Sequence, residues 1–307
     1  MSHPTRRPRP RATRQQYLVR RVVVAGAAVV LVGALVWALT TVIGGGDQRA
    51  EGETTTSITV ADSSARSTIV PIATPVPASE APAVPTAADP ARVLVVGDSD
   101  AGTFGPYLKV LLDQTGVAET TVDYKSSSGL SRPDFFDWPA RLRDSIAETA
   151  PDIIVVTFGG NDAQDIRDAN GDIVAAGPTG NEAEWTTEYV RRANEVLDIM
   201  QGEGRTVIWV GIPNDDNPDV TARMAVQDQA ARQAVEGHPG VTFVDTWARF
   251  SGRSGGWAEY VIDPRDGQGK DVRADDGFHL NEVGAEILAL DIARLVEADL
   301  RARGASW

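Results

Sequence analysis

Cysteine is absent from the 307 residues. Disulfides, a thiol nucleophile, thiolate metal sites and a lipid-modified cysteine are therefore excluded. Histidine is nearly absent. His3, His238 and His279 are the full set, in three distant regions. A three-histidine zinc site would need all of them, so neither a metal nor any other cofactor is expected. If the chemistry needs an imidazole base, the candidates are few. Positive charge is also scarce, with 29 basic against 43 acidic residues and a net charge of -14. Such a chain has no general attraction for nucleic acid, whose binding relies on Lys and Arg. Aliphatic and aromatic residues make up 42%, enough to bury a core.

The basic residues that exist are unevenly placed. Residues 1–21 hold seven arginines and no acid, and Val22 to Ile43 is a run of 22 residues without charge. At 1.5 Å per residue that run spans a bilayer core. A cleaved signal peptide is the alternative. Its apolar part should be about 7–15 residues with a small-x-small site, and Ala38-Leu39-Thr40 fits that poorly. The reading is an uncleaved anchor, with the arginine-rich end cytoplasmic and the rest exported. Residues 44–90 are rich in Thr, Ser, Ala and Pro and show no period. They read as a disordered tether, spanning on the order of 35–40 Å as a coil.

Residues 91–307 form one domain-sized block with a net charge of −17. Strand and helix patterns alternate through it. Strands are expected at 92–96, 120–124, 153–158, 207–212 and 241–244. Helices are expected at 105–113, 139–149, 182–201, 222–235 and 282–300. Tyr107, Val110 and Leu111 form the apolar side of the first helix. Ile287, Leu288, Ile292, Leu295 and Val296 form that of the last. The pattern predicts an α/β fold, a flavodoxin-like doubly wound parallel sheet in an α/β/α sandwich. One transmembrane helix and the tether precede it. In such sheets ligands sit beyond the C-terminal ends of the strands.

The segments just past the strand ends are therefore informative. After the first strand comes Gly97-Asp98-Ser99. A serine at a sharp strand-to-helix turn is exposed near the positive helix end, although these are also ordinary cap residues. After the second comes Ser126-Ser127-Ser128-Gly129-Leu130, where the glycine lets a backbone N–H approach a ligand. After the third comes Gly159-Gly160-Asn161-Asp162, whose Asn amide can donate to an oxyanion and whose residues equally suit a turn. Before the last helix comes Asp276-Gly277-Phe278-His279. An Asp three residues before a His can fold back onto Nδ1–H and leave Nε2 for a serine. His238 lies in Gly237-His238-Pro239-Gly240 and reads as a surface turn. Jointly these segments supply a nucleophile, a base, an orienting acid and oxyanion donors, the parts that acyl transfer needs.

The ordered set Gly97-Asp98-Ser99, Gly129, Gly160-Asn161-Asp162 and Asp276-x-x-His279 resembles the four blocks of the SGNH (GDSL-type) hydrolases. The longer stretch from Ser128 to Pro139 is similar to a membrane-anchored bacterial envelope branch of that family. The resemblance implies ester hydrolysis through an acyl-serine. Ser99 would be the nucleophile and His279 the base, oriented by Asp276. The backbone N–H groups of Ser99 and Gly129 and the Asn161 amide would form the oxyanion hole. One residue departs from the pattern. Asp100 follows the serine where the family usually has an apolar residue.

The expected protein is a membrane-tethered extracytoplasmic serine esterase that removes small O-acyl groups from envelope glycans. An O-acyltransferase to glycans, a lipid esterase or thioesterase, and a non-catalytic glycan-binding module are the alternatives. Trp138, Trp185, Trp257 and Tyr260 are candidates for stacking on sugars, and equally for core packing.

Overall fold

The computed structural model describes residues 83–307. The arginine-rich segment 1–21, the expected span 22–43 and most of the expected tether lie outside the described residues. The tether's last part, 83–90, carries no helix or strand. Among the described residues, no helix is long and apolar enough to cross a membrane.

Five parallel strands form the central sheet. They are β1 (Ala91–Gly97), β2 (Ala118–Tyr124), β3 (Ile153–Thr157), β6 (Thr206–Val210) and β7 (Val241–Val244), in the order β2-β1-β3-β6-β7. This is the 2-1-3-4-5 order of a doubly wound sheet, whose strand order reverses between β1 and β3. Register brings Gly97 level with Tyr124 on one side and Thr157 on the other, so three strand ends meet at the reversal. Side chains alternate between the two faces, as strands require. Val93, Val95, Ile153 and Val155 pack with α1 (Ser99–Asp113) and α6 (Glu282–Ala302). Leu94, Val96, Ile154 and Val156 pack on the other face with α2 (Trp138–Thr149), α3 (Glu182–Gln201) and α4 (Pro218–Glu236).

Four of the five long helices among the described residues start at a side-chain cap, α3 being the exception. Asp98, Asp137, Asn217 and Asn281 each accept a bond from an N–H of the first turn. The first helix corrects an expectation. It begins at Ser99, six residues before the predicted Gly105. Gly102, Gly105 and Pro106 look like a break, but the glycines serve close packing. A Cβ on Gly105 would stand 2.8 Å from Cγ1 of Val122. Two residues assigned to buried helix faces are exposed instead, Val110 at 54% and Leu295 at 38%. The third strand stops at Thr157 and the fourth at Val210, each before its predicted end. Two hairpins add to the predicted elements, β4 (Ile166–Arg167) with β5 (Ile173–Ala175), and β8 (Tyr260–Ile262) with β9 (Gly269–Asp271). Strands of two or three residues carry no readable period. A short helix, α5 (Thr246–Arg249), comes after β7.

Candidate active site

The turn after β1 is built to present Ser99. Gly97 has φ +150, and a Cβ there would lie 2.1 Å from the Thr157 carbonyl oxygen. Only glycine permits that approach. Asp98 is completely buried. Its Oδ1 accepts from the Asp100 N–H at 2.9 Å, and its Oδ2 from the Gly159 and Gly160 N–H groups at 3.1 and 3.2 Å. One carboxyl thus ties the β1 turn to the β3 turn. Burial, joined by the charge of Asp100, pushes the Asp98 carboxyl well above its usual range. Ser99 is the first residue of α1, where backbone N–H groups have no partner within the helix.

His279 reaches the same point from the loop before α6. Its Nε2 is 2.9 Å from Ser99 Oγ, and its Nδ1 is 2.6 Å from Asp276 Oδ2. With the proton on Nδ1 shared with the carboxylate, Nε2 accepts from the serine hydroxyl. Asp276 Oδ1 accepts the N–H groups of Phe278 and His279 at 3.1 and 3.0 Å, which folds the loop back on itself. Burial acts to raise the Asp276 carboxyl, but these bonds and the one to the ring outweigh it and lower it.

Arg273 anchors this loop from beneath. It is 5% exposed and donates to the carbonyls of Ala258, Asn214, Phe250 and Phe278 and to Asn214 Oδ1. Burial lowers its guanidinium to about 10, against the charges of Asp100, Asp215, Asp216 and Asp276.

The third component is the pair of loops after β2 and β3. Asp162 is buried and accepts from the N–H groups of Leu130 and Ser131 at 3.0 and 2.8 Å and from the Tyr189 hydroxyl at 3.0 Å. The Asn161 amide donates to the Ser128 carbonyl at 3.3 Å, holding it against the loop that carries Gly129. Gln227 closes the buried network by donating to the Tyr189 oxygen at 2.8 Å. Burial raises the Asp162 carboxyl despite its three donors.

Ser99, Asp276 and His279 are thus in contact as a chain. Asp98, Asp162 and the Asn161–Ser128 bond tie the loops bearing Ser99, Gly129 and Asn161 together. Sequence reasoning does not find Arg273, Asp162, Tyr189 or Gln227. Asp162 alone has a signal, as the last residue of Gly160-Asn161-Asp162. Asp100 sits in the first turn of α1, is 7% exposed, and its Oδ2 has no hydrogen-bond partner. Burial, then the charge of Asp276, raises this carboxyl to about 7. Trp138 and Trp185 are core residues, at 1% and 0% exposure. Trp257 lies by the site, donating to the Gly277 carbonyl at 2.8 Å, and Tyr260 is exposed on β8. His238 lies in the turn between α4 and β7, with Nδ1 on the Ala234 carbonyl and Nε2 near Asp198. A cleft of about 330 Å³ adjoins Gly129 and Leu130 and is walled by Phe136, Arg143 and Arg191.

Solved structures with a similar fold include an acetyl xylan esterase from Geobacillus stearothermophilus, at TM-score 0.48 and 17% identity, covering 66% of this chain and 93% of that one. A GDSL-like lipase from Bacteroides thetaiotaomicron matches at TM-score 0.44 and 16% identity, covering 68% and 88%. A carbohydrate esterase family 3 protein from Talaromyces cellulolyticus matches at TM-score 0.46 and 14% identity, covering 69% and 99%. No curated protein matches the chain. One family, described as "Protein of unknown function (DUF459)", matches residues 92–295, and the chain belongs to it.

Proposed function

We propose that this chain is an SGNH-type serine esterase acting through an acyl-serine. The observation that carries the reading is the continuous path Ser99 Oγ, His279 Nε2, His279 Nδ1, Asp276 Oδ2, at 2.9 and 2.6 Å. Ser99 Oγ attacks the ester carbonyl while its proton passes to Nε2. The carbonyl oxygen becomes an oxyanion, received by the N–H groups of Ser99 and Gly129 and the Asn161 amide. The C–O bond to the alcohol then breaks, and the alcohol leaves with the proton from Nε2. Water attacks the acyl-serine, gives its proton to Nε2, and the acid departs as Ser99 regains a proton. Asp276 holds the ring and offsets the charge of the imidazolium throughout.

The substrate we propose is a small O-acyl ester on an envelope glycan. The site is open, with the Asp276 and His279 side chains 52% and 33% exposed. An open rim admits a polymer from the side. Residues 1–90, read as anchor and tether, would hold the domain at that material. Hydrolysis of vinyl acetate tests the activity. Turnover that Ser99→Ala abolishes without changing the circular dichroism spectrum supports it. Equal turnover in the variant contradicts it.

A further inference from the structure

One stripe of α1 faces β2, and its positions recur every three residues. A Cβ on Gly105 would meet Val122, and a Cβ on Gly102 would stand 2.5 Å from Cε2 and 2.6 Å from Cδ2 of Tyr124. Next along the stripe is Ser99. The Tyr124 ring therefore lies against the first turn of α1, one step from the nucleophile. Sheet register agrees, because Tyr124 is level with Gly97 and the Lys125 N–H donates to the Gly97 carbonyl at 3.0 Å. Although packed on one side, Tyr124 is 51% exposed. Trp257 is fixed to the His279 loop through the Gly277 carbonyl.

We infer that the exposed face of Tyr124 is the platform on which the sugar ring bearing the ester stacks, which makes it a specificity-determining residue. This rests on the esterase reading above. A ring needs a single flat apolar face, and a tyrosine held by a glycine beneath it supplies one. The acyl chain of a lipid is the competing occupant, and two observations disfavour it. Such a chain needs a site that removes it from water, whereas the Tyr124 ring is half exposed. The carboxylates of Asp215, Asp216 and Asp276 around Arg273 repel a phosphate headgroup. A neutral sugar meets neither obstacle.

The test compares 6-O-acetylglucose with vinyl acetate, an acetyl ester without a ring, using the full chain. Tyr124→Leu keeps apolar bulk over Gly102 and removes the flat ring, while Tyr124→Trp restores one. The ratio of kcat/KM on the sugar ester to that on vinyl acetate should fall about tenfold in Tyr124→Leu. It should recover in Tyr124→Trp. An unchanged ratio overturns the assignment, as does an equal fall on both esters, which marks a structural role. A selective loss on vinyl decanoate overturns it in favour of an acyl chain. Wild-type protein that hydrolyses none of these esters overturns the esterase reading, and this assignment with it.

Discussion

Asp162 and Gly129 compete for one volume. Any side chain at position 129 would place its Cβ 2.1 Å from Asp162 Oδ1. The carboxyl cannot retreat, because the Leu130 and Ser131 N–H groups and the Tyr189 hydroxyl hold it. The glycine is thus fixed by the network that sets its own loop.

Gly129→Ala should therefore move the loop. We expect a loss of about 10²–10³ in kcat on vinyl acetate, the size seen when one oxyanion donor is misplaced. The urea midpoint should fall as well, since the added methyl strains the Asp162 bonds. A variant with wild-type kcat would show that the Gly129 N–H does not stabilise the transition state.

Arg273 holds the His279 loop through the Phe278 carbonyl and joins it to Asn214 and Phe250. Lysine keeps the charge and cannot reach all these acceptors at once. A lysine ammonium has three donors for the five acceptors of Arg273, and each buried acceptor left unpaired costs about 1–3 kcal/mol, so Arg273→Lys should lower stability to urea by about 2–6 kcal/mol. The His279 loop should loosen with it, slowing turnover. Wild-type stability would remove Arg273 from this role.

Asp100 gives the fold a pH dependence of definite sign. Its carboxyl is raised by burial, then by Asp276, to about 7, from an ordinary value of 3.8, with Arg273 opposing. Between those values the folded protein holds a proton that the unfolded chain has lost. The stabilisation is complete below the unfolded value and is lost as pH rises through about 7. Asp100→Asn cannot ionise. Its melting temperature relative to wild type should therefore be higher at pH 8 than at pH 5. Asp162 and Asp228 are also raised, but they are common to both proteins and cancel in the comparison, whereas loss of the Asp100 charge also relieves Asp98 and adds a change of the same sign. A difference independent of pH would contradict the assignment.

Much of this architecture is legible in the sequence. The run 153–158 reads as a strand buried on both faces, and the strand Ile153–Thr157 is fully buried at the sheet centre. The positions of Ser99, Asn161 and His279 accord with the rule that sites lie beyond strand ends. Other features depend on distant partners. Gly102 and Gly105 look like helix breakers until Tyr124 and Val122 are seen against them. Arg273 is one arginine among many until its carbonyl acceptors converge. Trp138 and Trp185 stay open as sugar contacts in the sequence because composition does not distinguish a buried ring from an exposed one. Tyr124 ends a strand of weak pattern, and only its neighbours reveal its place against the first turn of α1.

The central claim is that Ser99 is a nucleophile activated by His279. Labelling with a fluorophosphonate tests it without knowledge of the natural ester. Wild-type protein, Ser99→Ala and His279→Ala are each exposed to the probe, and the modified residue is located by mass spectrometry. One adduct is expected, on Ser99, absent from Ser99→Ala and nearly absent from His279→Ala. A folded wild-type protein that takes no label, or labels as fast without His279, would contradict the claim.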